Sequence, residues 1–190
     1  MSAKKTKGRF IVLKGIDGCG KTTIAELLAQ RLDNSIITKE PTVASKKIHA
    51  VLQHRITAPK PLDFQKLYIA DRMAHIENII KPALAKGKTV ICQRYALSTF
   101  AYGTAFGVSQ KDLKHDFLKP DFTFLLDLPA HEAIERIMSR KEKQEYFEKK
   151  EKLEKIRKKY LGLAKRFDAT IIDARKSPKA IIQAIVDNLD

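Results

Sequence analysis

Residues Gly15-Ile16-Asp17-Gly18-Cys19-Gly20-Lys21-Thr22 follow the pattern G-x-x-x-x-G-K-[ST], and no other stretch constrains the chain as much. Before them, residues 9–14 (RFIVLK) are short, apolar and β-branched. After them, residues 21–32 turn helical, with Ile24, Leu27 and Leu28 on one face. A strand, a glycine-rich turn and a helix make a βα unit. Glycines in such a turn let successive backbone N–H groups point inward at phosphate oxygens. The helix N-terminus adds its dipole to that cradle. Residues Gly15 to Thr23 are therefore expected to hold a nucleoside triphosphate, with Lys21 bridging its outer phosphates and the Thr22 hydroxyl ligating Mg²⁺.

The rest of the chain continues the alternation. Further short strands are predicted at residues 35–38 (SIIT), 89–92 (TVIC), 122–128 (FTFLLDL) and 170–173 (TIID). Helices are predicted around residues 45–54, 63–80, 153–167 and 178–189. The helix at 63–80 is read as burying Ile69, Met73, Ile76 and Ile80, and the one at 153–167 repeats apolar residues at helical spacing. Five short strands alternating with helices predict an α/β fold of P-loop NTPase type, a parallel five-stranded sheet with helices on both faces. At 190 residues the expectation is a single domain over 1–190, with a short basic lid at approximately 136–150.

Charge narrows the partners. With 37 basic and 22 acidic side chains the formal charge is +15, which suits nucleic acid or small phosphorylated molecules. Between Arg136 and Arg166 there are 13 Lys or Arg against five Glu, either a solvated helix face or charge meant for phosphates. Cys19 and Cys92 match no metal-ligand spacing and are expected to be reduced. Residues 1–8 are basic without a following apolar stretch, and no run approaches the roughly 20 apolar residues of a membrane span. The expected setting is cytoplasmic, with no membrane partner.

With the loop placed, further segments together resemble thymidylate kinase. Gly15 to Thr23 (GIDGCGKTT) looks like that family's loop, internal Asp17 included. Lys39-Glu40-Pro41-Thr42 resembles its acidic-proline turn, with Lys39 where Arg is usual. Tyr68-Ile69-Ala70-Asp71-Arg72 resembles its helix motif of an aromatic followed by Asp-Arg, and Gln93-Arg94-Tyr95 with the residues to Tyr102 resembles its Asp-Arg-Tyr segment. Leu125 to Pro129, Tyr160 to Ala164 and Ile172 to Ala174 follow in the family's order.

The resemblance implies transfer of the ATP γ-phosphoryl group to dTMP, a homodimer, and roles for individual residues. Tyr68 and Arg72, one turn apart on a face opposite the buried stripe, would stack the base and hold its phosphate; the residues alone favour a partly buried Tyr beside a surface Arg. Arg94 would bind the acceptor phosphate or the travelling phosphoryl group, or pair structurally with a carboxylate. Asp17 would approach the acceptor sugar, with Glu40 and Pro41 nearby, while Ser98 and Tyr102 would line the base pocket. Asp127, ending the fourth strand, has an open role. In the lid, Arg136, Arg140, Lys141 and Lys143 could neutralise transition-state charge, with Arg140 the first choice because Gly18 stands where one branch of the family has Arg.

Gln93 departs from the family, which usually has Asp there. An acceptor phosphate is already anionic and needs no general base, so the substitution is compatible with a monophosphate acceptor. A sugar hydroxyl would want a carboxylate, and Glu40 could be it. A deoxynucleoside kinase or a broad-specificity nucleoside monophosphate kinase is thus the alternative. A nucleic-acid-binding P-loop protein ranks last, since no stacking array or nucleic-acid motif appears.

Overall fold

The computed structural model describes residues 8–139 and 145–189. Its centre is a five-stranded sheet of β1 (Phe10–Lys14), β2 (Ser35–Lys39), β3 (Thr89–Gln93), β4 (Phe122–Asp127) and β5 (Ala169–Asp173). The strands lie in the order β2-β3-β1-β4-β5, and every pairing is parallel. Parallel neighbours need crossovers, which the helices supply on both faces, so each strand reads as an apolar run. Alternation then sorts the residues. Ile11, Leu13 and Ile91 join the larger core, while Phe10, Val12, Val90 and Cys92 meet Ile76, Ile80 and Ala83 in a smaller one.

The predicted helices form as α1 (Lys21–Arg31), α2 (Lys46–Leu52), α3 (Pro61–His75), α7 (Lys150–Leu163) and α8 (Pro178–Val186). Pro61 and Pro178 open their helices at positions that need no N–H donor, and Ser177 accepts from Ala180 N at 3.3 Å as the cap of α8. A π-turn at Ile76–Ile80 joins α3 to the short α4 (Lys81–Ala85).

Two helices have no counterpart among the sequence expectations. In α5 (Ala96–Ala105) residues 96–103 are all buried, so no polar stripe betrays its period. The other, α6 (Ala130–Met138), is short and buries only Ala130, Ala133 and Ile137.

The buried stripe of α3 is corrected. Met73 is 40% exposed, whereas Arg72 is 1% exposed and lies inward with Gln65 and Ile69. Choosing the stripe by hydrophobicity displaced it by one residue, because a charged side chain here finds its partner inside. Tyr68 and Arg72 therefore do not sit opposite the core; they face the site. No described helix is long and apolar enough to cross a membrane.

Candidate active site

The loop leaves β1 at the middle of the sheet, the edge where open α/β sheets collect ligands. Gly15 has φ +136°, and a Cβ there would stand 2.5 Å from Leu126 O. Gly18 has φ +84°, and its Cβ would meet Ala133 O of α6 at 2.5 Å. Only glycine permits both the positive φ and the close backbone approach. A side chain at position 18 would thus require α6 to shift. Ile16 and Cys19 turn inward and are buried. Lys21 Nζ donates to Gly15 O at 3.0 Å and to Ile16 O at 2.8 Å. Burial pulls its pKa below the ordinary lysine value.

The strand ends around the loop are in register. Leu13 pairs with Gln93, and Gln93 with Lys39. Arg94 N donates to Leu13 O at 2.9 Å and Glu40 N to Gln93 O at 3.0 Å, so the chain after β2 and β3 is pinned beside the loop. The Gln93 side chain reaches the loop itself, accepting from Thr22 Oγ1 at 2.9 Å. Arg94, at φ +67°, turns its guanidinium onto Asp17 Oδ1 and donates to the Tyr102 hydroxyl at 2.8 Å. Tyr102 in turn donates to Asp17 Oδ2 at 3.3 Å. Burial works against the Arg94 charge, but Asp17 and the hydroxyls of Tyr102 and Tyr160 outweigh it and hold its pKa above the usual arginine value. Burial pushes Tyr102 up and Tyr160 up to about 12, so both stay protonated donors.

On the other side Glu40 is 3% exposed and both its oxygens are engaged. Arg72 Nε donates to Oε2 at 2.7 Å, and His75 Nδ1 lies 3.1 Å from Oε1. Arg72 also donates to Thr99 Oγ1 at 2.8 Å. The peptide before Pro41 is cis. Asp71 accepts from Thr42 N at 2.9 Å and from the hydroxyls of Thr42 and Ser45, fastening α3 to the turn after β2. Ser98 accepts from Tyr160 at 2.8 Å. Asp127, at the end of β4, is held by Arg157 of α7 through two bonds of 2.7 and 2.8 Å.

One cavity of about 410 Å³ brings most of these groups together. Asp17, Gly18, Gly20, Lys21, Thr22 and Thr23 line it from the loop. Glu40, Pro41, Tyr68, Arg72, Arg94, Ser98 and Tyr102 line it from the other strand ends and helices. Gly15, Ile16 and Cys19 shape the loop behind it. Arg140, Lys141 and Lys143 lie outside the described residues, and Arg136 donates to Ala174 O at 3.2 Å.

Sequence reasoning missed several wall residues. Gln65 precedes Tyr68 and Arg72 by three and seven positions, so extending that helical stripe backwards would have found it. Phe147 stacks on Phe64 and meets Tyr102 edge-on at 4.8 Å, with no local signal. Glu145, raised by burial and by Asp17, closes the same side.

The thymidylate kinase family model matches residues 13–185. A probable thymidylate kinase of Thermococcus kodakarensis is 40% identical over 93% of this chain and 95% of its own length. A thymidylate kinase of Brachyspira hyodysenteriae is 37% identical over 96% of this chain and 94% of its own. A probable thymidylate kinase 1 of Saccharolobus solfataricus is 36% identical over 94% and 95%. A match over nearly the whole chain, together with a loop, an Arg72 and an Arg94 converging on one cavity, places this chain in the thymidylate kinase family.

Proposed function

We propose that the chain transfers the γ-phosphoryl group of ATP to dTMP, giving ADP and dTDP, with Lys21 and Arg94 as the charges that meet the moving group. The observation that carries this is the single cavity shared by Lys21 and Thr22 on one side and Tyr68, Arg72 and Tyr102 on the other. Donor and acceptor phosphates bound there would be held in line between fixed cations, and positioning with electrostatic stabilisation is most of what this reaction requires.

ATP fits the loop: Lys21 is held by the carbonyls of Gly15 and Ile16, with its ammonium at the cavity wall. Mg²⁺ fits the Thr22 hydroxyl and the neighbouring Gln93 carbonyl oxygen, hard oxygen donors of the kind it accepts alongside water and phosphate. When bound it supplies neutralisation of phosphate charge. Gln93 holds the Thr22 proton, which leaves the hydroxyl lone pairs to face the metal.

On the acceptor side Arg72 is kept rigid by Glu40 and Thr99, so its remaining N–H donors are preorganised for a phosphate. Tyr68 offers a ring for the base, and Ser98 and Tyr102 border it. Asp17, held by Arg94, would approach the acceptor sugar. A deoxynucleoside kinase would need Glu40 as base, but both its oxygens are committed to Arg72 and His75. A lid including Arg140, Mg²⁺ as the metal, a homodimer and a cytoplasmic setting complete the reading as one domain.

The test is ADP release with ATP·Mg²⁺ and a panel of dTMP, dUMP, dCMP, dGMP, dAMP and thymidine. Preference for dTMP is expected. Turnover of thymidine without any monophosphate would overturn the reading and make Glu40 the base.

A further inference from the structure

A second cavity, of about 380 Å³, lies against the residues that hold Arg72. The Arg72 guanidinium is 5.2 Å from the ring centroid of Tyr95 and 4.9 Å from that of Phe117. Both rings line the second cavity, while Arg72 lines the first. Lys14 also lines the second cavity. It is the last residue of β1, adjacent in sequence to Gly15, and only 1% exposed. Among the described residues its Nζ is the one buried side-chain nitrogen or oxygen without a hydrogen-bond partner. The Tyr95 ring centroid lies 5.4 Å from it, and the Glu40 carboxylate nearby, which favours its charge, is already bonded to Arg72 and His75.

An unpartnered ammonium in an apolar setting is expensive unless something negative meets it. The surrounding walls mix hydrocarbon, from Leu97, Phe100 and Phe167, with the positive charge of Lys114, Lys119 and Arg166. Three carboxylates also border the cavity: Asp121 accepts from Phe10 N at 2.7 Å, Asp168 accepts from Lys119 at 3.2 Å, and the third is Asp116. None of the three bonds to Lys14 Nζ.

We propose that this cavity is a second ligand site, taking a small molecule with an apolar ring and one anionic group, carboxylate or phosphate, whose anion pairs with Lys14. Its position makes it regulatory. An occupant pressing on Tyr95 and Phe117 moves the rings that hold Arg72, and one drawing on Lys14 pulls at the residue next to Gly15. The binding stands on its own; only the coupling to dTMP rests on the thymidylate kinase reading.

The experiment uses phenyl phosphate and benzoate, with phenol as the uncharged control. Each is titrated by calorimetry into the full chain saturated with ADP and dTMP, so that the first cavity is filled. One equivalent of phenyl phosphate or benzoate is expected to bind, whichever binds identifying the anion, with affinity reduced about tenfold or more in Lys14→Met. In the unaltered protein, nuclear Overhauser contacts from the probe ring to Leu97 and Phe117 are expected, which gives an answer that no variant is needed for. Coupling predicts a changed KM for dTMP with bound probe. Absence of binding, equal binding of phenol, or affinity unchanged in Lys14→Met would overturn the site.

Discussion

The Thr22 hydroxyl donates to Gln93 Oε1 at 2.9 Å, tying the first turn of α1 to the end of β3 across 71 residues. The residue expected to ligate the metal is thus oriented by a neutral amide in place of the carboxylate usual in this family.

That neutrality makes Gln93→Asp informative. A carboxylate beside Thr22 strengthens the hydrogen bond and attracts a divalent cation, a gain of roughly 1 kcal/mol. The Mg²⁺ concentration for half-maximal rate is then expected to fall about fivefold. Initial rates across a Mg²⁺ titration measure it, and an unchanged curve would remove Gln93 from the metal's surroundings.

Lys21→Met removes the ammonium held at Gly15 O and Ile16 O while keeping most of its bulk. If it acts on the donor phosphates, kcat falls about 10²–10³-fold. Affinity for dTMP, read by calorimetry, stays near that of the unaltered protein. A matching loss of dTMP affinity would place Lys21 on the acceptor side.

Glu40→Gln leaves the Arg72 guanidinium buried beside a neutral partner, where both side chains are at most 2% exposed. Removing one member of such a pair is expected to destabilise the fold by about 3 kcal/mol. Urea unfolding checks it. The double variant Glu40→Leu with Arg72→Met should lose less than the two single losses together, since neither charge is then stranded.

Lys14→Met is expected to stabilise the protein by about 1–3 kcal/mol near neutral pH, because it removes a buried group with no partner. Burial first, then Arg72 and Arg94, hold the Lys14 pKa well below 10.5, outweighing Glu40 and Cys92. Since the folded value lies below the unfolded one, the unfolded chain carries the extra proton between them, and stability rises with pH across that window. The advantage of Lys14→Met therefore shrinks as the pH climbs towards the ordinary lysine value. Unfolding curves at several pH values test the sign, and an advantage that grows with pH would sink it.

Much of this is legible in the sequence. The loop from Gly15 to Thr22 announces itself because its chemistry needs glycines and a lysine at fixed short spacing. The five strands follow from short apolar runs between helical periods, and their edges came within one or two residues. Tyr68 and Arg72 were read as neighbours because helix geometry sets that distance locally. These are all properties of residues close together in the chain, which sequence by itself determines.

Tertiary structure decided the rest, because burying a charge depends on partners far away in the chain. Arg72 could be placed inward only once Glu40, 32 residues earlier, was seen to meet it. Asp17 and Arg94, 77 apart, become one unit only when β1 and β3 pair in register. Gly18 answers the approach of Ala133 from a distant helix as well as its own positive φ. Lys14 reads in sequence as the ordinary end of a strand, and only the packed fold leaves its ammonium buried without a hydrogen-bond partner among the described residues.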